Sequence, residues 1–398
     1  MLDFSEEQVL AQQAIRGWCA QKLEPKVLAM EAQEISIYPV MREMAATFGI
    51  GDVAKSLFAK MKDRQNGDEP KKGLGSDPAM MAILSMELAR VCPGFALAFG
   101  ASLGLFAGGV MARGTLEQKE RWALPVLTMD RIGAWGLTEP SAGSDAFGSM
   151  KTHARRVGGG FQLNGSKTFI TNAPFADVFL IYARMLGDEF SPGDIRAFIV
   201  ERSDTGVSTG PPMKKMGMHS SPTGEIFLGD VFVPADRLLG GDKTENARTS
   251  AKSSLNQERS GMTPMLLGMV ERCLEESIRY AKTREQWGKP IASFQLVQDK
   301  IARIYMARTL IHTMLMRQLE AEKTGAVLTA REASATKLYC ARAATDCALE
   351  AVQIMGGAGY ITGSVVEMMA RDAKLFQIGG GTDEIQILRI ARELLEAP

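Results

Sequence analysis

The hydrophobic periodicity of the chain changes twice, and this restricts the folds open to it. From Asp3 to about Thr128, apolar residues recur at helical spacing, as in Met80 to Val91. From about Arg131 to Gly240, short runs rich in β-branched and aromatic residues alternate with Gly, Pro and Asn turns. Helical spacing returns after Glu245. The sequence therefore predicts an α, β, α order.

Individual elements follow from the same patterns. Ser5, followed by two glutamates, is a plausible N-cap for the first helix. The clearest strands are predicted at Val178–Met185, Ile195–Glu201 and Glu225–Val233, and they suit a small β-barrel or sandwich. Long helices are predicted at Gly261–Thr283, Ser293–Thr324 and Ala330–Ile354, with lengths typical of an antiparallel four-helix bundle.

At 398 residues, the chain exceeds the size at which one hydrophobic core keeps growing. We expect three domains: helical at 1–129, β at 130–242 and a helical bundle at 243–398. The charged, glycine-bearing segment from Lys55 to Asp77 is predicted to form an extra helix and a loop.

Charge and composition limit the partners. The 46 basic and 46 acidic residues cancel, so there is no electrostatic argument for nucleic acid or an anionic membrane as a partner. The N-terminus lacks the pattern of a signal peptide, and no run reaches the roughly 18 uninterrupted apolar residues of a membrane span.

Cysteine and histidine spacing argues against a metal site. The five cysteines have no CxxC spacing, so neither a zinc site nor a disulfide framework is indicated, and a reducing cytoplasm fits best. The three histidines are too far apart in the sequence to suggest metal ligation.

Three motifs carry the functional information: WGLTEPSAGSD at 135–145, KTFITNAP at 167–174 and FQIGGGTDEIQ at 376–386. Small and hydroxyl residues in the first motif let backbone amides approach a ligand and supply hydrogen-bond donors, with Thr138 and Ser144 the natural candidates. Taken alone, a Gly/Ser-rich turn of this kind more often only connects one strand to the next element. The second motif, taken alone, could be a buried strand.

With these three runs, the chain resembles the acyl-CoA dehydrogenase family along nearly its whole length. The resemblance implies FAD held between the β domain and the C-terminal bundle. It also implies a set of cofactor-binding residues: Trp135, Leu137, Thr138, Ser144, Phe169, Thr171, Arg284, Trp287, Gln295, Gln353, Gly356, Gly357, Thr382 and Glu384.

Some of these cofactor contacts belong to a neighbouring subunit in the family, which implies an assembly and, by family expectation, a homotetramer. Phe169 stands where the family commonly has Trp, and it keeps a stacking surface but loses the indole N–H. The substrate-binding positions implied are Ser144, Arg259, Gly380, Gly381 and Arg392.

The reaction requires a base, and the residue at the position that most often carries it has no side chain in this sequence. Many family members have Glu directly before the Gly-Thr of the closing motif, where this chain has Gly380 and Gly381 before Thr382. The isovaleryl-CoA dehydrogenase type carries its Glu on another helix, and SLNQERSG supplies Glu258 at the matching position. Glu258 is thus the predicted base, with a pKa raised by an apolar pocket. A Glu-Arg pair on a helix without this context would usually be a solvated surface pair.

The expected activity is α,β-dehydrogenation of an acyl-CoA to a 2-enoyl-CoA, with electrons passed to electron-transferring flavoprotein. Because the base has moved and Gly380 lacks a side chain, a branched, cyclic or aryl-substituted acyl group is favoured. Two alternatives stay open. One is a member of the same superfamily that reacts with oxygen, like an oxidase, or eliminates a substituent, like a desulfinase. The other is a non-catalytic flavin-binding homologue.

Overall fold

The computed structural model describes residues 3–64, 77–191, 193–241, 247–326 and 328–396, with the backbone alone at 63, 64 and 248–257. The α, β, α order predicted from periodicity is confirmed. The predicted extra helix within 55–77 is present up to residue 64, whereas residues 65–76 lie outside the described residues. The expected domain boundary at 242/243 also lies outside them.

The N-terminal part is helical. Ser5 caps its first helix in a capping box, since its Oγ accepts from Gln8 N at 3.3 Å while Gln8 Oε1 accepts from Ser5 N at 2.8 Å. The helices are α1 (Glu6–Trp18), α2 (Val27–Glu31), α3 (Tyr38–Thr47), α4 (Ile50–Arg64), α5 (Pro78–Val91), α6 (Pro93–Gly100), α7 (Gly108–Arg113), α8 (Leu116–Gln118) and α9 (Leu124–Leu127).

The middle part is a single curled sheet that contains seven strands among the described residues. The strands are β1 (Gly133–Gly136), β2 (His153–Val157), β3 (Gly160–Thr171), β4 (Val178–Leu186), β5 (Ile195–Glu201), β6 (Val207–Thr209) and β7 (Thr223–Pro234). Their order is β1-β4-β2-β3-β7-β6, and β5 pairs with β4. The short strands β1 and β2 pair with successive parts of one edge of β4. A bridge between Phe198 and Leu238 brings β5 to the residues that follow β7 and curls the sheet.

Strand β4 separates two hydrophobic cores. Its side chains alternate between the faces of the sheet, so Phe179 and Ile181 enter one core, while Leu180 and Tyr182 enter the other. Burial on both faces explains why VFLIYARM reads as an almost continuous apolar run.

The C-terminal part contains the predicted long helices. They are α10 (Ala247–Thr283), α11 (Gln295–Thr324), α12 (Ala330–Met355), α13 (Gly357–Tyr360), α14 (Val365–Phe376) and α15 (Asp383–Leu395), with the hairpin β8 (Glu285–Gln286) and β9 (Lys289–Pro290) between α10 and α11. Pro264 lies inside α10 and has no N–H for the carbonyl of Ser260. That carbonyl accepts instead from Gln318 Nε2 on α11 at 3.1 Å, which ties the two helices together near the middle of α10.

One continuous helical segment, Pro93–Arg113, is long and apolar enough to cross a membrane by length and composition, but about 61% of its apolar window is buried inside the protein. Its middle, Ala101–Ala107, is π-helical. Ser102 Oγ accepts from Gly133 N at 2.9 Å, and Ala98 O accepts from Asn172 Nδ2 at 2.8 Å. These bonds attach the segment to the β sheet, as expected for a core helix.

Gly268 sets how closely α10 approaches α5. A Cβ at this position would lie 2.0 Å from Met86 O, which is backbone and cannot rotate away. We expect Gly268→Ala to destabilise the fold by about 1–3 kcal/mol through overpacking, measured as a lower thermal midpoint.

Gly261→Ala is the matched control, because it lies on the same helix with nothing within 4 Å of a new Cβ. It should raise the midpoint, since alanine is favoured over glycine inside a helix by roughly 0.5–1 kcal/mol. Equal midpoints for the two variants would contradict a close contact between α10 and α5.

Candidate active site

The closing motif forms the turn between α14 and α15. Gly379 N donates to Leu375 O at 2.8 Å and ends α14, and Thr382 caps α15 by accepting from Ile385 N at 3.4 Å. Between them, Gly380 and Gly381 have φ values of 64° and 94°, which side chains rarely adopt. The N–H of Gly380 makes no hydrogen bond to any described residue, so it can donate to a ligand.

Glu258 on α10 lies directly beside this turn. A Cβ placed on Gly380 would lie 3.7 Å from the carboxyl carbon of Glu258. It would also lie 2.8 Å from the methyl carbon of Met262, which is one helical turn after Glu258. The two sequence positions considered for the base therefore converge on one point, and the carboxylate reaches it from α10.

The environment raises the pKa of Glu258 to about 7. Burial is the main cause, because it disfavours the charged form, while the charges of Arg259 and Lys337 act in the opposite direction. A carboxyl group with this pKa can both accept and release a proton near neutral pH.

Cations and an amide hold the turn through its carbonyl groups. Arg259 Nε donates to Gly380 O at 3.0 Å, and Lys337 Nζ on α12 donates to Gly381 O at 2.8 Å. Gln386 Nε2 donates to both carbonyls, at 3.2 and 2.9 Å. These donors fix the orientation of the turn relative to Glu258.

A buried ion pair organises the first motif on the β domain. Lys167 Nζ donates to Glu139 Oε1 at 2.8 Å and to Leu137 O at 3.1 Å, and both charged side chains are buried. Glu139 also accepts from the backbone N–H groups of Lys151 and Thr152 at 2.6 and 2.9 Å. The pair thus connects the 137–139 loop to β2 and β3, and burial lowers the pKa of Lys167 to about 8.

The surface beside this loop fits a large, flat, polar cofactor. The indole Nε1 of Trp135 is buried and has no hydrogen-bond partner among the described residues. Phe169 adopts a φ of 57° within β3 and leaves 68% of its surface exposed. Leu137 is buried, Thr138 and Thr171 are half-buried, and Ser144 is exposed. Apolar surface and available hydroxyls beside one another suit an isoalloxazine ring and its polar edge.

The remaining predicted cofactor residues lie on exposed parts of the C-terminal helices. Trp287 and Gly288 form the tip of the β8–β9 hairpin with φ values of 56° and 72°, and Trp287 is 89% exposed. Arg284, Gln295 and Gln353 are also exposed. A Cβ on Gly356 or Gly357 would meet no atom within 4 Å, which leaves room for a ligand against the backbone.

Three predicted site residues lie on or beside α15. Thr382 caps the helix, while Glu384 is exposed in its first turn. Arg392 is exposed near the end of the helix, where its Nε lies 3.9 Å from Glu396. Their proposed ligand contacts stay predictions.

Sequence reasoning did not find Lys337, Met262, Gln386 or the Lys167–Glu139 pair. A signal for Lys337 was present, since it lies in the middle of a stripe of small residues at helical spacing on α12. The members of the stripe are Ala333, Ser334, Cys340, Ala341 and Ala344. A lysine within such a buried stripe indicates a partner on a neighbouring element.

The comparisons with known proteins agree with this geometry. Three family models match: acyl-CoA dehydrogenase N-terminal domain at 5–130, middle domain at 134–231 and C-terminal domain at 248–395. A mitochondrial isovaleryl-CoA dehydrogenase of Arabidopsis thaliana is 36% identical over 81% of this chain and 78% of its own length. A subunit of a caffeyl-CoA reductase–Etf complex of Acetobacterium woodii is 35% identical over 99% of both chains.

Solved structures show the same fold. Butyryl-CoA dehydrogenase of Megasphaera elsdenii superimposes with a TM-score of 0.88 at 31% identity, covering 99% of each chain. A glutaryl-CoA dehydrogenase of Mycobacterium smegmatis in complex with FADH2 superimposes with a TM-score of 0.86 at 26% identity, covering 99% of this chain and 95% of that one.

The raised pKa of Glu258 predicts a pH-dependent cost to stability. In the unfolded chain the pKa of a glutamate is about 4.3. Between that pH and about 7, the folded state therefore holds a proton that the unfolded state has lost. Wild-type stability should therefore fall as pH rises through this window, relative to Glu258→Gln.

We expect the thermal midpoint of Glu258→Gln minus that of the wild type to increase from pH 4.5 to 7 and then to level off. Glu320→Gln, on the exposed face of α11, is the control and should show no such trend. A difference that is flat with pH would mean that Glu258 titrates as an ordinary solvated carboxylate.

Proposed function

The chain belongs to the acyl-CoA dehydrogenase family of flavoprotein oxidoreductases, and we propose that it removes the α and β hydrogens of a branched or aryl-substituted acyl-CoA to give a 2-enoyl-CoA. The observation that carries this proposal is the convergence of Glu258 and the Gly380–Gly381 turn on one point.

Glu258 is the base that takes the α-proton. Its carboxylate lies next to the Gly380 turn, whose free N–H is available to the thioester carbonyl oxygen. A hydrogen bond there strengthens as negative charge builds on that oxygen during proton removal, which is oxyanion-type stabilisation. With a pKa of about 7, Glu258 is a strong enough base while still being ionised in a useful fraction of molecules near neutral pH.

Bound FAD would supply the acceptor for the hydride that leaves the β-carbon. The residues that would hold its ring are those beside the 137–139 loop, namely Trp135, Thr138, Phe169 and Thr171. The Lys167–Glu139 pair would keep this loop in place, because it fixes Leu137 O and connects the loop to the neighbouring strands.

The choice of acyl group rests on the position of the base and on the relatives. The volume that Gly380 vacates is not empty, because Met262 places its methyl group there. Methionine is flexible, so this wall can adapt to groups of different shape. Relatives named for isovaleryl-CoA and caffeyl-CoA act on a branched and an aromatic acyl group, and they support the proposed substrate class.

The electron acceptor we propose is an electron-transferring flavoprotein. The support is the relative that is a subunit of a caffeyl-CoA reductase–Etf complex and matches this chain over 99% of both lengths.

The assembly we propose is a homotetramer, because the part of the predicted cofactor site on the C-terminal part of the chain is exposed. Trp287 and Gly356 lie on the surface, where a second copy would cover them. Helices α11 and α12 also border an open cavity of about 1020 Å³. Exposed apolar side chains on these helices support an interface here: Tyr305, Met306, Leu310 and Leu349.

The function is tested by anaerobic titration of the flavin absorbance with isovaleryl-CoA, 3-phenylpropionyl-CoA and butyryl-CoA. We expect bleaching by the branched or aryl thioester, and a rate lower by a factor of about 10²–10⁴ in Glu258→Gln, since a general base contributes this much. Reoxidation should be fast with electron-transferring flavoprotein and slow with dioxygen.

Each other outcome points to a different function. Fastest bleaching by butyryl-CoA would contradict the proposed substrate class, and fast reoxidation in air would favour an oxidase. Bound flavin that no acyl-CoA bleaches would favour elimination chemistry or a binding role. Unchanged bleaching in Glu258→Gln would show that another residue is the base.

The assembly is tested by light scattering of the purified holoprotein. We expect four copies in the wild type and a smaller species for Leu310→Glu, because a buried unpaired carboxylate opposes association. Val53→Glu, at an exposed apolar position on α4, is the control and should leave the mass unchanged. A monomeric wild type with full flavin content would overturn the proposal.

A further inference from the structure

Lys337 is a buried cation that contacts the Gly380–Gly381 turn, and its charge has no assigned part in the proposed proton transfer. Only 1% of its surface is exposed, and burial lowers its pKa to about 8. Lysine is almost never fully buried unless it is paired. Its contacts therefore indicate what the charge does.

The ammonium group contacts the turn beside the base. Lys337 Nζ donates to Gly381 O at 2.8 Å and lies 3.9 Å from Asp383 Oδ1 at the start of α15. Asp383 is itself held by Arg342 Nε at 2.9 Å. The carboxylate thus has a second cation, so the charge of Lys337 is not fully balanced by Asp383.

Glu258 lies beside the same turn, since a Cβ on Gly380 would be 3.7 Å from its carboxyl carbon. The positive charge of Lys337 acts to lower the pKa of Glu258, against the larger effect of burial. Helix α10 also contributes Arg259, whose positive charge repels that of Lys337 and lowers the pKa of Lys337. The charged groups around Lys337 are Glu258 and Arg259 on α10 and Asp383 and Glu384 on α15. Arg342, on the same helix as Lys337, acts through its contact with Asp383.

We propose that Lys337 is a positioning residue for proton abstraction: its ammonium group fixes the Gly380–Gly381 turn through Gly381 O and opposes the loss of charge from the Glu258 carboxylate. This rests on the proposed function. Binding of an apolar acyl group would remove water from Glu258 and favour its neutral form. A fixed cation opposes that effect without contacting the substrate.

Three substitutions separate the two tasks. Lys337→Gln removes the charge but keeps an amide that can donate to Gly381 O. Lys337→Met removes both charge and donor at similar length, and Lys337→Arg keeps both. Arg331→Gln, at an exposed position on the same helix, removes a positive charge away from the turn and is the control.

The first readout is independent of flavin reduction. In 3,3-dimethylbutyryl-CoA the β-carbon carries no hydrogen, so this thioester can lose an α-proton but cannot be dehydrogenated. Incubation of the holoenzyme with it in D2O, followed by mass spectrometry, measures α-deuteration by the base alone. The second readout is the rate of flavin bleaching by the best acyl-CoA, and both are measured from pH 5 to 9.

In Lys337→Gln we expect the acid limb of both profiles to move up by at least half a pH unit, while the plateau stays within about threefold of the wild type. Lys337→Met should show the same shift and a plateau lower by about tenfold. Below about pH 8, where Lys337 carries its charge, Lys337→Arg should follow the wild type, and Arg331→Gln should follow it at every pH.

A Lys337→Gln profile that coincides with the wild type would overturn the electrostatic task. A Lys337→Met plateau equal to that of Lys337→Gln would overturn the task at the turn. Failure of the proposed function is distinguishable, because the wild type itself would then neither deuterate the thioester nor be bleached. Lys337→Gln and Lys337→Arg keep the test decisive if Lys337→Met does not fold.

Discussion

The candidate active site depends on the donors that hold the carbonyls of Gly380 and Gly381. Arg259, Lys337 and Gln386 reach these two carbonyl groups from α10, α12 and α15, so three helices must pack correctly before the turn has its shape. Burying two cations is unfavourable unless they are paired or hydrogen-bonded. The peptide carbonyls accept from both cations, and Asp383 Oδ1 lies 3.9 Å from Lys337 Nζ. The two cations act to lower the pKa of Glu258, although burial outweighs them.

This arrangement explains in physical terms how a base can stand at either of two distant sequence positions. Residues 258 and 380 belong to different elements, yet a Cβ at 380 would lie 3.7 Å from the Glu258 carboxyl carbon. A carboxylate side chain at residue 258 or at residue 380 would reach the same region. Met262 fills the volume that a side chain at 380 would otherwise take, so the glycine does not leave a void.

The part of the candidate site on the β domain also depends on a buried cation. Lys167 and Glu139 are buried together and fix the loop that presents Leu137 and Thr138. Strand β4, buried on both faces, supports this loop through its pairing with β1. The predicted cofactor residues on the C-terminal part of the chain lack such internal support, since Trp287 lies exposed at a hairpin tip. The part of the site on the β domain is thus held by contacts within one chain, and the exposed part around Trp287 suits completion by a second copy of the chain.

The sequence by itself determined the α, β, α order and the positions of the clearest strands and of the long C-terminal helices, and it predicted Glu258 as the base, because periodicity and short motifs are local properties of the chain. Only the tertiary structure decided that β1 and β2 share one edge of β4, that Met262 occupies the space at Gly380, and that Lys337 reaches the turn. Residues 337 and 381 are 44 positions apart. Contacts over such distances depend on how whole helices pack, and no pattern within one segment encodes them.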